Sequence, residues 1–218
     1  MSSAWSPRRF PDWIPAIAFA AAVVALAAPA AAEGQDPNDD PRAVTVVGSD
    51  AHGRRCAQAV QRGDVSDRTV ETCTRALNYA RITREARIQL LVNRGVVYLR
   101  RSEFQHALED FDAVIAIDDR NAEAFLNRGA ALIQLRQPGP AVAAITTALG
   151  LGVREPHKAY FNRAAAREAL GDLRGAYEDY NTALEIEPDW GPASAELARF
   201  ARSRREHLAT ALGEQQSN

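Results

Sequence analysis

Apolar positions recur in register along residues 88–190. Counting from Ile88, Ala122 and His157, the fourth position of each window holds Leu91, Phe125 and Tyr160, and the eighth holds Gly95, Gly129 and Ala164. Position 20 is Ala107, Ala141 and Ala176; position 24 is Phe111, Ile145 and Tyr180; position 27 is Val114, Ala148 and Ala183. Self-similarity at such a period marks a stack of one repeated supersecondary unit. The order large, small, small, large, small predicts two helices per window that close on each other through the small residues. Alternation of period two is sustained nowhere, so no sheet is expected. A fainter window starts near Asp50, with Ala57 at position 8, Thr69 at 20, Cys73 at 24 and Ala76 at 27. The window at 122–156 departs from the pattern: Pro138 and Pro140 stand where its second helix begins, which a helix start tolerates, and one extra residue precedes the next window. Local signals agree with the helices. Ser102-Glu103-Phe104-Gln105 reads as a capping box, Asn121 as an N-cap, and Gly171-Asp172 as a C′ glycine joined to an N-cap aspartate.

These positions resemble the tetratricopeptide repeat family. Residues 157–190 carry the resemblance most fully, 88–121 nearly as well, 122–156 with the proline departure, and 50–83 in a divergent form. The resemblance implies an all-α, right-handed superhelix of antiparallel helix pairs. Its first helix (A) lines a concave groove and its second (B) the outside. A stack of this kind needs capped ends, and residues 191–212, with an apolar stripe of Leu197, Phe200, Ala201 and Leu208, suit a capping helix before a disordered tail at 213–218. On the family's pattern the groove would be lined by Val92, Asn93 and Val96, by Leu126, Asn127 and Ala130, and by Lys158, Phe161, Asn162 and Ala165. Its floor is then mainly apolar, with Asn93, Asn127 and Asn162 set along it 34 and 35 residues apart. An amide offers both a donor and an acceptor, so such a ladder suits the backbone of an extended peptide. Asn at this position also serves plain helix packing. Some relatives clamp a C-terminal carboxylate with Lys and Asn; here Val92 and Val96 stand where that clamp would open, and the activity is not expected. Arg94, Arg128 and Arg163 hold position 7. Asp110 and Asp179 hold position 23, but Ala144 stands there in the third window, so an interhelix Arg–Asp pair is expected in two repeats, each contributing about 0.5 kcal/mol if partly exposed. The resemblance also sets Cys56 and Cys73 across the first helix pair, where a disulfide would pin the divergent repeat.

Composition narrows the function. A net charge of −2 offers no field for nucleic acid or anionic membranes. Two cysteines and four scattered histidines supply no zinc-type set, and no metal or cofactor is expected. No G-x-S-x-G, H-E-x-x-H or phosphate loop is present, so the chain is read as no enzyme. Residues 1–32 combine Arg8 and Arg9, an uncharged run to Ala32 and an Ala30-Ala31-Ala32 end, the pattern of a signal peptide. That predicts a periplasmic or secreted protein, with 33–49 as a flexible lead. The run nearly reaches transmembrane length, which leaves open an uncleaved anchor and a membrane-bound assembly factor. The partner expected is a protein or peptide.

Overall fold

The computed structural model describes residues 50–79 and 82–216, all of whose regular structure is helical. The signal-peptide reading at 1–32 and the lead at 33–49 lie outside these residues. The helices are α1 (Asp50–Gln61), α2 (Asp67–Leu77), α3 (Arg84–Arg100), α4 (Phe104–Ile117), α5 (Ala122–Gln134), α6 (Pro138–Leu151), α7 (Pro156–Ala169), α8 (Leu173–Ile186) and α9 (Gly191–Gln216). They pair as α1–α2, α3–α4, α5–α6 and α7–α8, and each pair packs on the next, with α9 on α8. The apolar interior is a series of three clusters strung along the array, because each pair hides one face alone and its neighbours hide the rest.

The small positions do what their spacing predicts. A Cβ built on Gly95 would lie 2.7 Å from the buried Phe111 ring, and one on Gly129 would run into Ile145. In the first pair the equivalent contact is covalent: Cys56 and Cys73 form a disulfide with their Cα atoms 5.0 Å apart. Its register differs by one from the sequence reading. Gly63, seven residues after Cys56, takes the left-handed turn that Ser102, Arg136 and Gly171 take seven residues after Gly95, Gly129 and Ala164. Cys56, not Ala57, therefore occupies the small position.

Those four turns share one hydrogen-bond pattern. The N–H groups of Asp64, Glu103, Gln137 and Asp172 reach back to the carbonyls of Ala59, Tyr98, Leu132 and Arg167, which satisfies the orphan carbonyls that end each A helix. Ser102 (φ 62°) and Arg136 (φ 56°) do this without glycine's freedom. This corrects the capping-box expectation: Ser102 is consumed in the turn, Glu103 is the N-cap of α4, and no side chain caps that helix. Asn121 and Asp172 do cap, accepting from Ala124 N–H at 3.0 Å and Gly175 N–H at 2.9 Å. Pro138 is the first residue of α6. The extra residue before α7 is absorbed at Gly152 (φ 83°), after which Arg154 donates from its backbone N–H and its Nε to Glu123, both at 3.1 Å.

The capping helix is longer than expected. α9 has 26 residues and continues to Gln216, past the boundary set at 212 and into the segment read as tail. Its first turns close the end of the array: Trp190 and Phe200 join Phe161 and Tyr180 in edge-on aromatic contacts, and Ala193 is buried beneath them.

Candidate functional site

The Asn and Arg that recur together in each repeat separate into two roles. The arginines are structural. Arg94 makes a two-pronged pair with Asp110 (Nε–Oδ2 2.9 Å, Nη2–Oδ1 2.6 Å), and Arg163 the same with Asp179 (2.9 and 2.8 Å). Both carboxylates are about 5% exposed, at 6% and 5%, so the pairs are far more buried than expected. The hydrogen bonds to these aspartates hold the Arg94 and Arg163 guanidiniums above their usual range. Each arginine also reaches backwards, Arg94 to the Thr74 hydroxyl at 2.9 Å and Arg163 to the Thr146 hydroxyl at 3.3 Å. Arg128, whose own B helix offers Ala144, reaches the same place on the preceding helix and pairs with Asp112 at 2.6 Å. The sequence reading anticipated the two Arg–Asp pairs; it missed the contact to the preceding repeat, which the recurrence of Thr74, Asp112 and Thr146 at one position would have revealed.

The asparagines are different. Asn93, Asn127 and Asn162 are buried on α3, α5 and α7, at 3%, 0% and 0% exposure. Both polar atoms of Asn127 and of Asn162, and the Oδ1 of Asn93, have no hydrogen-bond partner among the described residues. The apolar positions beside them are buried too. Val92, Val96 and Ala130 belong to one cluster where α3 meets α5, and Leu126 to the next. Phe161, expected on the floor, is packed edge-on against Tyr180 and Trp190, with ring centres 5.3 and 5.0 Å away. Only Lys158 and Ala165 of the expected lining are partly open, and Lys158 is paired with Glu155 at 2.6 Å.

Ion pairing ties the end of α7 to α9. Glu168 stands where Leu99 and Ile133 stand in the earlier repeats. Both of its oxygens accept from Arg199 of α9, at 2.7 and 2.6 Å, and Arg199 also bonds Glu196 at 2.7 Å. Burial, with Glu168 next in effect, pushes the neighbouring Tyr180 hydroxyl well above its ordinary range. The break in the apolar pattern at Glu168 thus belongs to the cap. Among the described residues no cluster of His, Cys, Asp and Glu is arranged to hold a metal, and no helix is long and apolar enough to cross a membrane.

Stacked helix pairs closing through small residues, with a recurrent amide along the inner helices, define a helical-repeat scaffold. Residues 157–190 match the tetratricopeptide repeat model. The mouse RNA polymerase II-associated protein 3 is 33% identical over 111 residues, 51% of this chain but 17% of that protein. The first TPR of Spaghetti (RPAP3), solved bound to the HSP90 peptide SRMEEVD, is 28% identical, with a TM-score of 0.51 over 55% of this chain and 96% of that one. MamA from Desulfovibrio magneticus, at 16% identity and a TM-score of 0.60 over 78% of this chain and 96% of its own, shares the fold. Residues 157–190 thus form a tetratricopeptide repeat, and the array of helix pairs around them has the fold of tetratricopeptide repeat domains.

Proposed function

We propose that this chain is an exported, non-catalytic scaffold that binds an extended stretch of polypeptide along the inner face of α3, α5 and α7. The observation that carries the reading is the set of buried amides without partners at Asn127 and Asn162, echoed at Asn93. A buried polar group left unsatisfied costs about 1–3 kcal/mol. Such a cost repeated at one place in three successive repeats fits groups whose bonds are supplied by a ligand. A polypeptide backbone carries the matching donors and acceptors in even spacing. The repeat domain of Spaghetti in complex with SRMEEVD supports peptide binding as the mode of action. That peptide is acidic. Here the inner face offers Val92 and Val96 in its second repeat, and its Lys158 is already neutralised by Glu155. The segment bound is therefore uncharged, and its terminal carboxylate is not what is recognised.

Export rests on the signal-like residues 1–32 and on the Cys56–Cys73 bond, which suits an oxidising compartment. Sequencing the N-terminus of the protein recovered outside the cytoplasm tests this: Glu33 as first residue supports it, and a retained Met1 supports the anchored assembly factor instead. For the binding role, Asn127→Ala with Asn162→Ala removes only groups that bond nothing among the described residues. The double variant is expected to keep its Tm and to lose cross-linked partners in a pull-down. An unchanged set of captured proteins overturns the reading.

A further inference from the structure

We propose that the open side of the first helix pair, α1 and α2, is a second docking site, and that it takes the acidic face of a partner's helix. It is separate from the inner face and does not rest on it. The repeats themselves supply the rule. Each arginine that precedes a small position is given a carboxylate. Arg94 and Arg163 take theirs from their own B helix, at Asp110 and Asp179. Arg128 finds Ala144 at that place and takes Asp112 from the preceding helix instead. Arg55 is the fourth of the series, because it precedes Cys56 as Arg94 precedes Gly95. Thr72 precedes Cys73 as Asp110 precedes Phe111, so the B helix of the first pair offers no carboxylate. Arg55 thus stands as Arg128 would without Asp112. Among the described residues no helix precedes α1, and the exposed Arg55 guanidinium pairs with nothing.

The surroundings fit an acidic helix. A Cβ on Gly53 would lie 4.0 Å from Leu90 of α3, and Thr74 of α2 holds Arg94 of α3, so the opposite sides of α1 and α2 are the open ones. Between them runs a cleft of about 300 Å³. Arg55 and Arg62 line it from α1, seven residues apart, and Arg68 and Arg75 from α2, also seven apart. Seven residues are two helical turns, about 10 Å, so acids at the same interval on a bound helix meet both ends of each row. The two acids of the cleft are already engaged: Asp64 accepts from the Ser66 N–H at 2.9 Å, and Glu71 pairs with Arg75 at 2.7 Å. Positive charge is therefore in excess, and Ala59 is the one apolar side chain of the lining. A floor this polar does not suit a further repeat, and a second copy meeting it through the same face brings like charge, which is repelled.

The test uses the full chain and a labelled peptide of two Ala-Glu-Ala-Ala-Ala-Glu-Ala heptads, which carries its glutamates along one helical face. Fluorescence anisotropy is expected to show saturable binding in about 20 mM salt that is lost at about 300 mM, where exposed charges are screened. The glutamine twin of the peptide is expected not to bind. Arg55→Glu is expected to weaken binding about tenfold, and Arg62→Glu with Arg68→Glu to abolish it. Arg120→Glu, the same charge change on an exposed arginine between α4 and α5, is expected to leave it unchanged. Binding that fails to appear, that the glutamine twin shares, or that Arg120→Glu weakens as much as Arg55→Glu overturns the proposal. So does tighter binding of an oligothymidylate of equal charge, which makes the ligand a phosphate chain, and so does self-association of the chain that Arg55→Glu abolishes. The twin-peptide comparison uses the unaltered chain, so it decides the matter even where a variant fails to fold.

Discussion

At the scale of single residues, burial decides which polar groups matter. Asp179 accepts from an arginine of its own repeat and Asp112 from one of the next, yet the first is 5% exposed and the second 49%. Removing Asp179 strands the guanidinium of Arg163 in a mostly dry site, and Asp179→Ala is expected to cost about 3 kcal/mol in chemical denaturation. Asp112→Ala leaves Arg128 free to turn to water and is expected to cost less than about 1 kcal/mol. The small positions are equally unforgiving. Gly129→Ala drives a Cβ into Ile145, which is fully buried and cannot move aside, and an overpacked core of this kind loses about 1–3 kcal/mol. The first repeat shows the same contact solved by a bond. Replacing both cysteines by alanine removes a cross-link worth about 3 kcal/mol for a loop of this length. The pair Cys56→Gly with Cys73→Phe copies Gly95 on Phe111 and is expected to recover part of that loss in Tm under non-reducing conditions.

Between elements, the four turns that end the A helices are where the chain is least well served by its own residues. Ser102 and Arg136 hold positive φ, a conformation that costs a residue with a Cβ about 1 kcal/mol relative to glycine. Ser102→Gly and Arg136→Gly are each expected to raise the unfolding midpoint, in contrast to glycine substitutions elsewhere in helices, and a thermal melt of each variant checks this. The same turns explain what the sequence did and did not make legible. Helix pairs, the register of the last three and the Asn121 and Asp172 caps follow from local chemistry and were readable. The capping box at Ser102 was misread because a helix that ends and a helix that begins compete for one residue, and the winner depends on the backbone path between them. Cys56 was placed one position early because the turn at Gly63 sets the register of α1, and no apolar pattern marks it. For the inner face, the sequence set Asn93, Asn127 and Asn162 at one place in successive repeats, and they lie buried on α3, α5 and α7. It did not show that Phe161 would be taken by Trp190 and Tyr180 of its own repeat, nor that Glu168 would be taken by Arg199, which comes from the segment beyond the last repeat.

For the whole molecule, stability is distributed and the ends are special. The N-terminal pair is pinned by its disulfide and stitched to the end of α3, where Arg100 and the C-cap residue Arg101 donate to the carbonyls of Val60 and Val65. The C-terminal pair depends on α9 for the aromatic contacts over Phe161 and Tyr180. Removal of residues 191–218 is expected to uncover those rings, lower the Tm by several degrees and increase binding of an apolar dye; a truncated chain that melts like the parent would show that α9 is no cap. The backward reach of Arg94, Arg128 and Arg163 has a consequence for how the molecule comes into being. Thr74, Asp112 and Thr146 all leave the ribosome before the guanidinium that seeks them, so every newly emerging repeat meets a docking point already in place on the one made just earlier. Assembly is thereby given a direction, each arginine closing on a side chain that was there first.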